Sequence, residues 1–314
     1  MKNKEKNFIS AVVYVHNSEN RIPFFLKTLI AVLKENFENS EIICVNDASV
    51  DSSVEKIKEI SKNVAGVSIS VLNMSSFHGV ELAMNAGVDL SIGDFVFEFD
   101  FAQMDFDSAE IMNVYYKALE GFDVVSATPD KKQKFSSKLF YRIINKYTNY
   151  SYKMNTERFR ILSRRVINRV SSMNKTIPYR KAVYANSGLK MANLKYRVID
   201  KETEIFKEDH RESRYRGKLA VDSLILFTDM GYHFSVAMTA FMMIIAIFMV
   251  IYSLTIYLTS NPVTGWTTTI LFLSVVFFGL FGVLTVIIKY LQILVDLVFK
   301  RSRYSFESVE KLTK

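Results

Sequence analysis

The 314-residue chain has one cysteine, one tryptophan, four prolines and eleven glycines. A lone cysteine excludes a disulfide framework and a cysteine-built metal site. Cys44 stands in the apolar run "EIICVN", where it reads as a small buried hydrophobe. No strand-to-helix turn carries a glycine-rich phosphate loop, which removes the nucleotide-binding folds that depend on one. A secretion signal is not expected either: the early apolar run "FISAVVYV" is short, leads into "HNSEN", and reads as a first strand. A last scarcity is local. The stretch "FVFEFDFAQMDF" (95–106) runs from an apolar strand into an acidic turn, yet Asp100 is followed by Phe101 and Ala102 rather than by a second nearby acid.

Charge is absent from two long stretches, 234–258 and 267–288. Each exceeds the roughly 20 apolar residues that a helix needs to cross a bilayer. They are expected to form a transmembrane hairpin. Arg211, Arg214, Arg216 and Lys218 precede the first stretch; Lys289, Lys300, Arg301 and Arg303 follow the second, and the connecting "TSNPVTGW" is uncharged. The positive-inside rule then places both termini in the cytoplasm, in a multi-pass protein of the inner (plasma) membrane. The net charge of +8 belongs with this arrangement, since much of the basic excess adjoins the spans, and no nucleic-acid partner is expected. Amphipathic patterns at 217–230 and 289–300 are expected to be interfacial helices.

Before residue 210 short apolar runs alternate with helical periodicity. Strands are expected at 8–15, 41–46, 67–72, 94–99, 122–127 and 195–200. Helices are expected at 23–37, 51–62, near 79–90, near 107–119, and at 136–147, 164–173 and 178–189. Such alternation implies an α/β fold: a mostly parallel sheet with flanking helices, binding ligands beyond the carboxyl ends of its strands. Three polar, acid-bearing turns fall there: "HNSEN", "NDASVD" and "DFAQMD". The expected domains are 1–209, a juxtamembrane helix at 210–233, the hairpin at 234–289, and a cytoplasmic helix and tail at 290–314.

The blocks "VVYVHNSENRI", "EIICVNDASVDSS", "FHGVELAMNAGVDLSIGDFVFEFD", "SSKLFYRIINKY", "RFRILSRRVI" and "HRESRYRGKLAVDSLILF", in this order and ahead of a hairpin, resemble glycosyltransferase family 2. Within it they resemble the bacterial polyprenyl-phosphate (bactoprenol or dolichol-phosphate type) sugar transferases. That resemblance implies a GT-A-like fold, a nucleotide-sugar donor, a polyprenyl-phosphate acceptor and inversion at the sugar carbon, for cell-envelope glycan modification. Asn17, Asp47 and Gly79 match donor-binding positions, and Asp100 matches the first acid of a Mg²⁺ or Mn²⁺ motif. Ala102 falls where the second acid should be, with Asp105 as a later one. Arg158 and Arg160 stand at the catalytic block, Arg158 in place of an acid. Lys131, Arg211 and Arg214 are the candidates for holding the acceptor phosphate. A phosphate monoester is mostly dianionic at neutral pH and needs charge compensation and alignment more than a strong base. A membrane and a homo-oligomer complete the expected partners. Two alternatives stay open: a non-catalytic relative that keeps the fold and acts as a scaffold, and a transferase of altered donor or acceptor use that works without metal.

Overall fold

The computed structural model describes residues 3–131, 135–147, 152–172, 179–199, 210–227, 265–299 and 306–313, with isolated helical residues between 234 and 251. The strand β1 (Ile9–Val15) is buried along its whole length, as its β-branched run requires between two parallel neighbours. Those neighbours are β2 (Ser40–Asn46) and β4 (Phe95–Phe99). The helices α1 (Ile22–Asn36), α2 (Ser53–Ser61), α3 (Val80–Leu90) and α4 (Ala109–Leu119) alternate with β1, β2, β3 (Ser68–Met74), β4 and β5 (Val124–Pro129), as expected. In α1 a proline occupies the first turn, where its missing N–H costs no helical hydrogen bond. Helix α3 lies so close to the sheet that a Cβ on Gly87 would fall 2.4 Å from Val12 Cγ1 and 2.6 Å from Val45 Cγ2. Under β4 the rings of Phe97, Phe99 and Phe159 stack, with Phe106 against Phe159.

The sheet has eight strands, ordered β7-β5-β6-β4-β1-β2-β3-β8, and is more mixed than expected. Beyond α5 (Phe135–Tyr147), strand β6 (Phe159–Ser163) runs antiparallel between β4 and β5. No strand was expected there, because "FRILS" is short and sits among arginines. It leads directly into α6 (Arg164–Ser172). The helix expected at 178–189 is only α7 (Arg180–Ala185), and Gly188 follows at a φ of 71°. Strand β7 is Met191–Tyr196, earlier than the expected 195–200. At the other edge β8 (Phe306–Lys311) pairs antiparallel with β3, where the sequence suggested only a tail.

The chain forms two compact units: Met1–Ala220 with Ser302–Lys314, and Val221–Arg301. Helix α8 (His210–Phe227) covers most of the expected juxtamembrane segment, and α9 (Gly265–Phe299) contains the second charge-free stretch. In the second unit a Cβ on Gly279 would meet Met242 Cε at 2.2 Å, and one on Gly282 would lie 3.8 Å from Met238 Cε. The opposed order of these two contacts is that of antiparallel neighbours. Lys289 also pairs with Asp222 at 3.3 Å. Most of the first expected span, 234–258, lies outside the described residues, as do many side chains of α9. Among the described residues no helix is long and apolar enough to cross a membrane, so the expected hairpin is not supported by the structure itself.

Candidate active site

The turns that follow β1 and β2 are tied together. Asn17, at a φ of 44°, accepts from the Val50 amide through Oδ1 at 3.0 Å, and its own amide donates to Ser49 Oγ at 3.2 Å. Ala48 also has a positive φ, 52°, so both turns hold non-glycine residues in the left-handed region. Between them Asp47 is fully buried. Its Oδ1 accepts from the His78 amide at 2.8 Å; its Oδ2 accepts from the Gly79 amide at 2.8 Å and the Tyr14 hydroxyl at 2.9 Å. Asp47 therefore fixes the loop that leads into α3. Gly79 caps that helix at a φ of 81°, and the Tyr215 ring of α8 covers it: a Cβ there would lie 2.3 Å from Tyr215 Cζ. Phe77 meets both His16 and Tyr215, which makes an aromatic wall beside these turns.

Asp100, directly after β4, stands in a closed set of ion pairs. Arg160 on β6 donates from one terminal nitrogen to Glu98 Oε2 at 2.7 Å and from the other to Asp100 Oδ2 at 2.6 Å. Arg180 on α7 does the same from the opposite side, to Glu98 Oε1 at 2.5 Å and Asp100 Oδ1 at 2.7 Å. Two guanidinium forks thus bridge two carboxylates, and every carboxylate oxygen is used. Of the outer nitrogens, Arg180 Nε donates to Glu81 Oε2 at 3.0 Å, while Arg160 Nε lies 3.3 Å from a Glu157 oxygen as an ion pair without hydrogen-bond alignment. The Tyr184 hydroxyl donates to Glu98 at 3.0 Å. All four inner groups are buried, Arg180 and Glu98 completely. Burial alone would raise the Asp100 pKa, but the adjacent Arg160 and Arg180 charges hold the carboxyl well below the usual carboxylate range.

This geometry bears directly on the expected metal site. Both Asp100 oxygens already accept from guanidinium groups, Oδ2 from Arg160 and Oδ1 from Arg180. Asp105 is elsewhere, accepting from the Tyr196 hydroxyl at 2.9 Å and pairing with Arg158 Nε at 3.0 Å. Among the described residues no group of three histidine, cysteine or acidic side chains could hold a metal ion. Ala102, at the position of the absent acid, is buried in the hydrophobic core. The residues present do not fit a divalent cation bound by Asp100 and Asp105. Arg158 and Arg160, the expected catalytic arginines, are likewise engaged in internal pairs.

On the acceptor side the structure gathers less. Arg158 and Arg216 both approach the Phe101 ring, at 5.8 and 4.8 Å from its centre. Arg214 is exposed on α8, and the side chain of Arg211 lies outside the described residues. Lys131 lines a separate open cavity of about 530 Å³ with Thr128, Asp130, Lys138, Asn155 and Lys195. Sequence reasoning missed Arg180, Glu81 and Tyr215. One signal was available: Glu98 interrupts the apolar run "FVFEF" of an interior strand, and a carboxylate there needs a buried cation.

Comparison with known proteins fits this architecture. An uncharacterized glycosyltransferase of Synechocystis is 29% identical over 183 residues, covering 56% of this chain and 57% of that protein. An undecaprenyl-phosphate 4-deoxy-4-formamido-L-arabinose transferase of Aeromonas hydrophila is 29% identical over 153 residues, 47% of this chain and 46% of that protein. The chain thus spans about half the length of these curated relatives. Among solved structures, a mannosyltransferase from Pyrobaculum calidifontis in complex with GDP-Man and Mn²⁺ superposes with a TM-score of 0.50. That match has 12% identity and covers 70% of this chain and 64% of that one, a likeness of GT-A-like fold. The family model for glycosyl transferase family 2 matches residues 10–171, and the chain belongs to that family.

Proposed function

We propose that this chain transfers a sugar from a nucleotide-sugar donor to a polyprenyl phosphate at the cytoplasmic face of the plasma membrane. The observation that carries this reading is the set of turns that open with Asn17, Asp47 and Asp100, at the carboxyl edge of three adjacent parallel strands of a family 2 domain. The relative named for undecaprenyl-phosphate sugar transfer supports the acceptor class. A lipid phosphate attacks as a dianion, so the protein's task is alignment and charge compensation. Arg214, Arg211 and Lys131 are proposed for that task. Membrane attachment is proposed from the charge-free stretches 234–258 and 267–288 and the basic residues that flank them. The segment 221–301 leaves the first unit and returns to it, and β8 pairs within the same sheet. Such a segment crosses any bilayer an even number of times, as a hairpin does.

A second reading, a non-catalytic partner with the same fold, is favoured by the internal saturation of Asp47 and Asp100. One experiment separates the two. The detergent-purified chain is incubated with a panel of nucleotide sugars and short polyprenyl phosphates, and lipid products are resolved by mass spectrometry. A glycosylated lipid phosphate is expected. Nucleotide binding without product from any pairing would favour the partner reading, and neither binding nor product would sink the transferase.

A further inference from the structure

The guanidinium groups bound to Asp100 have a consequence for donor binding. The inner four groups, Glu98, Asp100, Arg160 and Arg180, carry two negative and two positive charges. Glu81 and Glu157, each paired with one of the two arginines, extend the set, so the case against a divalent ion rests on occupancy and not on net charge. Lys181, nine-tenths buried next to Arg180, adds a third positive charge near Asp100. An entering cation would have to displace a guanidinium that is bonded on both sides, and would then face the remaining cations at short range. Nor can the turn recruit a replacement acid. Ala102 points into the apolar core with Phe106, and Asp105 is held by Arg158 and Tyr196.

We propose that the cation position at Asp100 has been taken over by Arg180 together with Arg160, so that the protein binds nucleoside diphosphates without a divalent metal. Asp100 is then a positioning residue that holds the end of β4 to β6 and α7, and it never contacts a metal. The inference rests on the proposed donor class but is tested separately from it.

The test uses the full chain in detergent. Affinities for UDP, GDP and CDP are measured by calorimetric titration in excess chelator and again in Mn²⁺, while free Mn²⁺ is followed by electron paramagnetic resonance. Any change in nucleotide affinity with Mn²⁺ is expected to stay below about twofold, against the roughly 5- to 150-fold typical of linked ligands. The free Mn²⁺ signal should be undiminished by the protein. A nucleotide affinity that rises with Mn²⁺ beyond that bound overturns the proposal. If no nucleoside diphosphate binds in either condition, the donor reading fails, and the resonance measurement still decides the metal question. Mn²⁺ captured by the wild type then overturns the proposal, and a signal that stays free supports it. No variant is required, so a misfolded substitution cannot obscure the outcome.

Discussion

Replacing Glu98 by Gln should loosen the whole first unit, by an amount that can be reasoned from its partners. Glu98 accepts from Arg160, Arg180 and the Tyr184 hydroxyl with no exposure to solvent. Gln keeps the shape but removes the charge, and it turns one acceptor into a donor that faces a guanidinium. Removing one partner of a buried ion pair costs about 3–5 kcal/mol, because the cation left behind stays desolvated. The chain carries its own reporter. Cys44 is the only thiol, fully buried in the central strand β2, with its pKa pushed up to about 12 by burial. It reacts with an alkylating reagent when the sheet opens. Where closing outpaces labelling, the rate follows the open population. The expected acceleration for Glu98→Gln is then about two to three and a half decades, at 1.4 kcal/mol per decade. Glu120→Gln, which removes an exposed pair with Lys117, should change it by less than about one decade. A Glu98→Gln rate within tenfold of wild type would refute the claim that this network holds the sheet end together.

Ala102→Asp should destabilise the protein rather than create a metal site, since it buries a carboxylate among Phe106 and its apolar neighbours; Mn²⁺-dependent stabilisation in a melting experiment would contradict this. Gly79→Ala should cost at least about 1–2 kcal/mol from its positive φ alone, plus the clash with Tyr215. In a Tyr215→Ala background only the backbone part should remain, so calorimetric melting should show non-additivity, and strict additivity would exclude the contact. Acid should weaken the wild type in a defined window. The Asp100 pKa is depressed in the folded state, so its contribution is complete above the unfolded value near 4 and is lost as pH falls below it. The melting-temperature gap between wild type and Asp100→Asn should therefore shrink below about pH 4; a constant gap would mean another cause. In a Cys44→Ser background, cysteines at Ser260 and Ser302 should label oppositely with an impermeant reagent on intact cells, and external labelling of Ser302 alone would reverse the proposed topology.

The first half of the fold was legible in the sequence because each element is made locally. The apolar runs of β1 to β5 and the periodic helices between them need no distant partner to be recognised. The elements that were missed depend on distant ones. Strand β6 carries Arg160 at its second position, and the hydrogen bonds that make that position tolerable in a sheet interior go to Glu98 and Asp100, some sixty residues earlier. Strand β8 alternates exposed and half-buried residues, and its assignment comes from the open edge of β3. The site shows the same division. The sequence marks Asp47 and Asp100 as acids at strand ends, which they are. It does not show that their oxygens are already spoken for, because the donors come from Tyr14, His78, Arg160 and Arg180 on four separate segments.

The pairing of β8 with β3 also imposes an order on biosynthesis. Asn73 and Ser308, hydrogen-bonded neighbours in the finished sheet, are 235 residues apart in the chain. At about 5–20 residues per second, a ribosome leaves the β3 edge uncovered for roughly 10–50 s after that strand emerges. Throughout that interval the nascent domain presents a row of unpaired backbone groups, the kind of surface that invites pairing with a neighbouring chain. The segment 221–301 must be made, and delivered to wherever it belongs, before the strand that closes the edge leaves the exit tunnel. A chain that stalls or terminates before residue 306 keeps an adhesive edge and is marked for capture by chaperones or proteases. Strand β8 thus serves as a completion signal for this sheet, written in backbone hydrogen bonds.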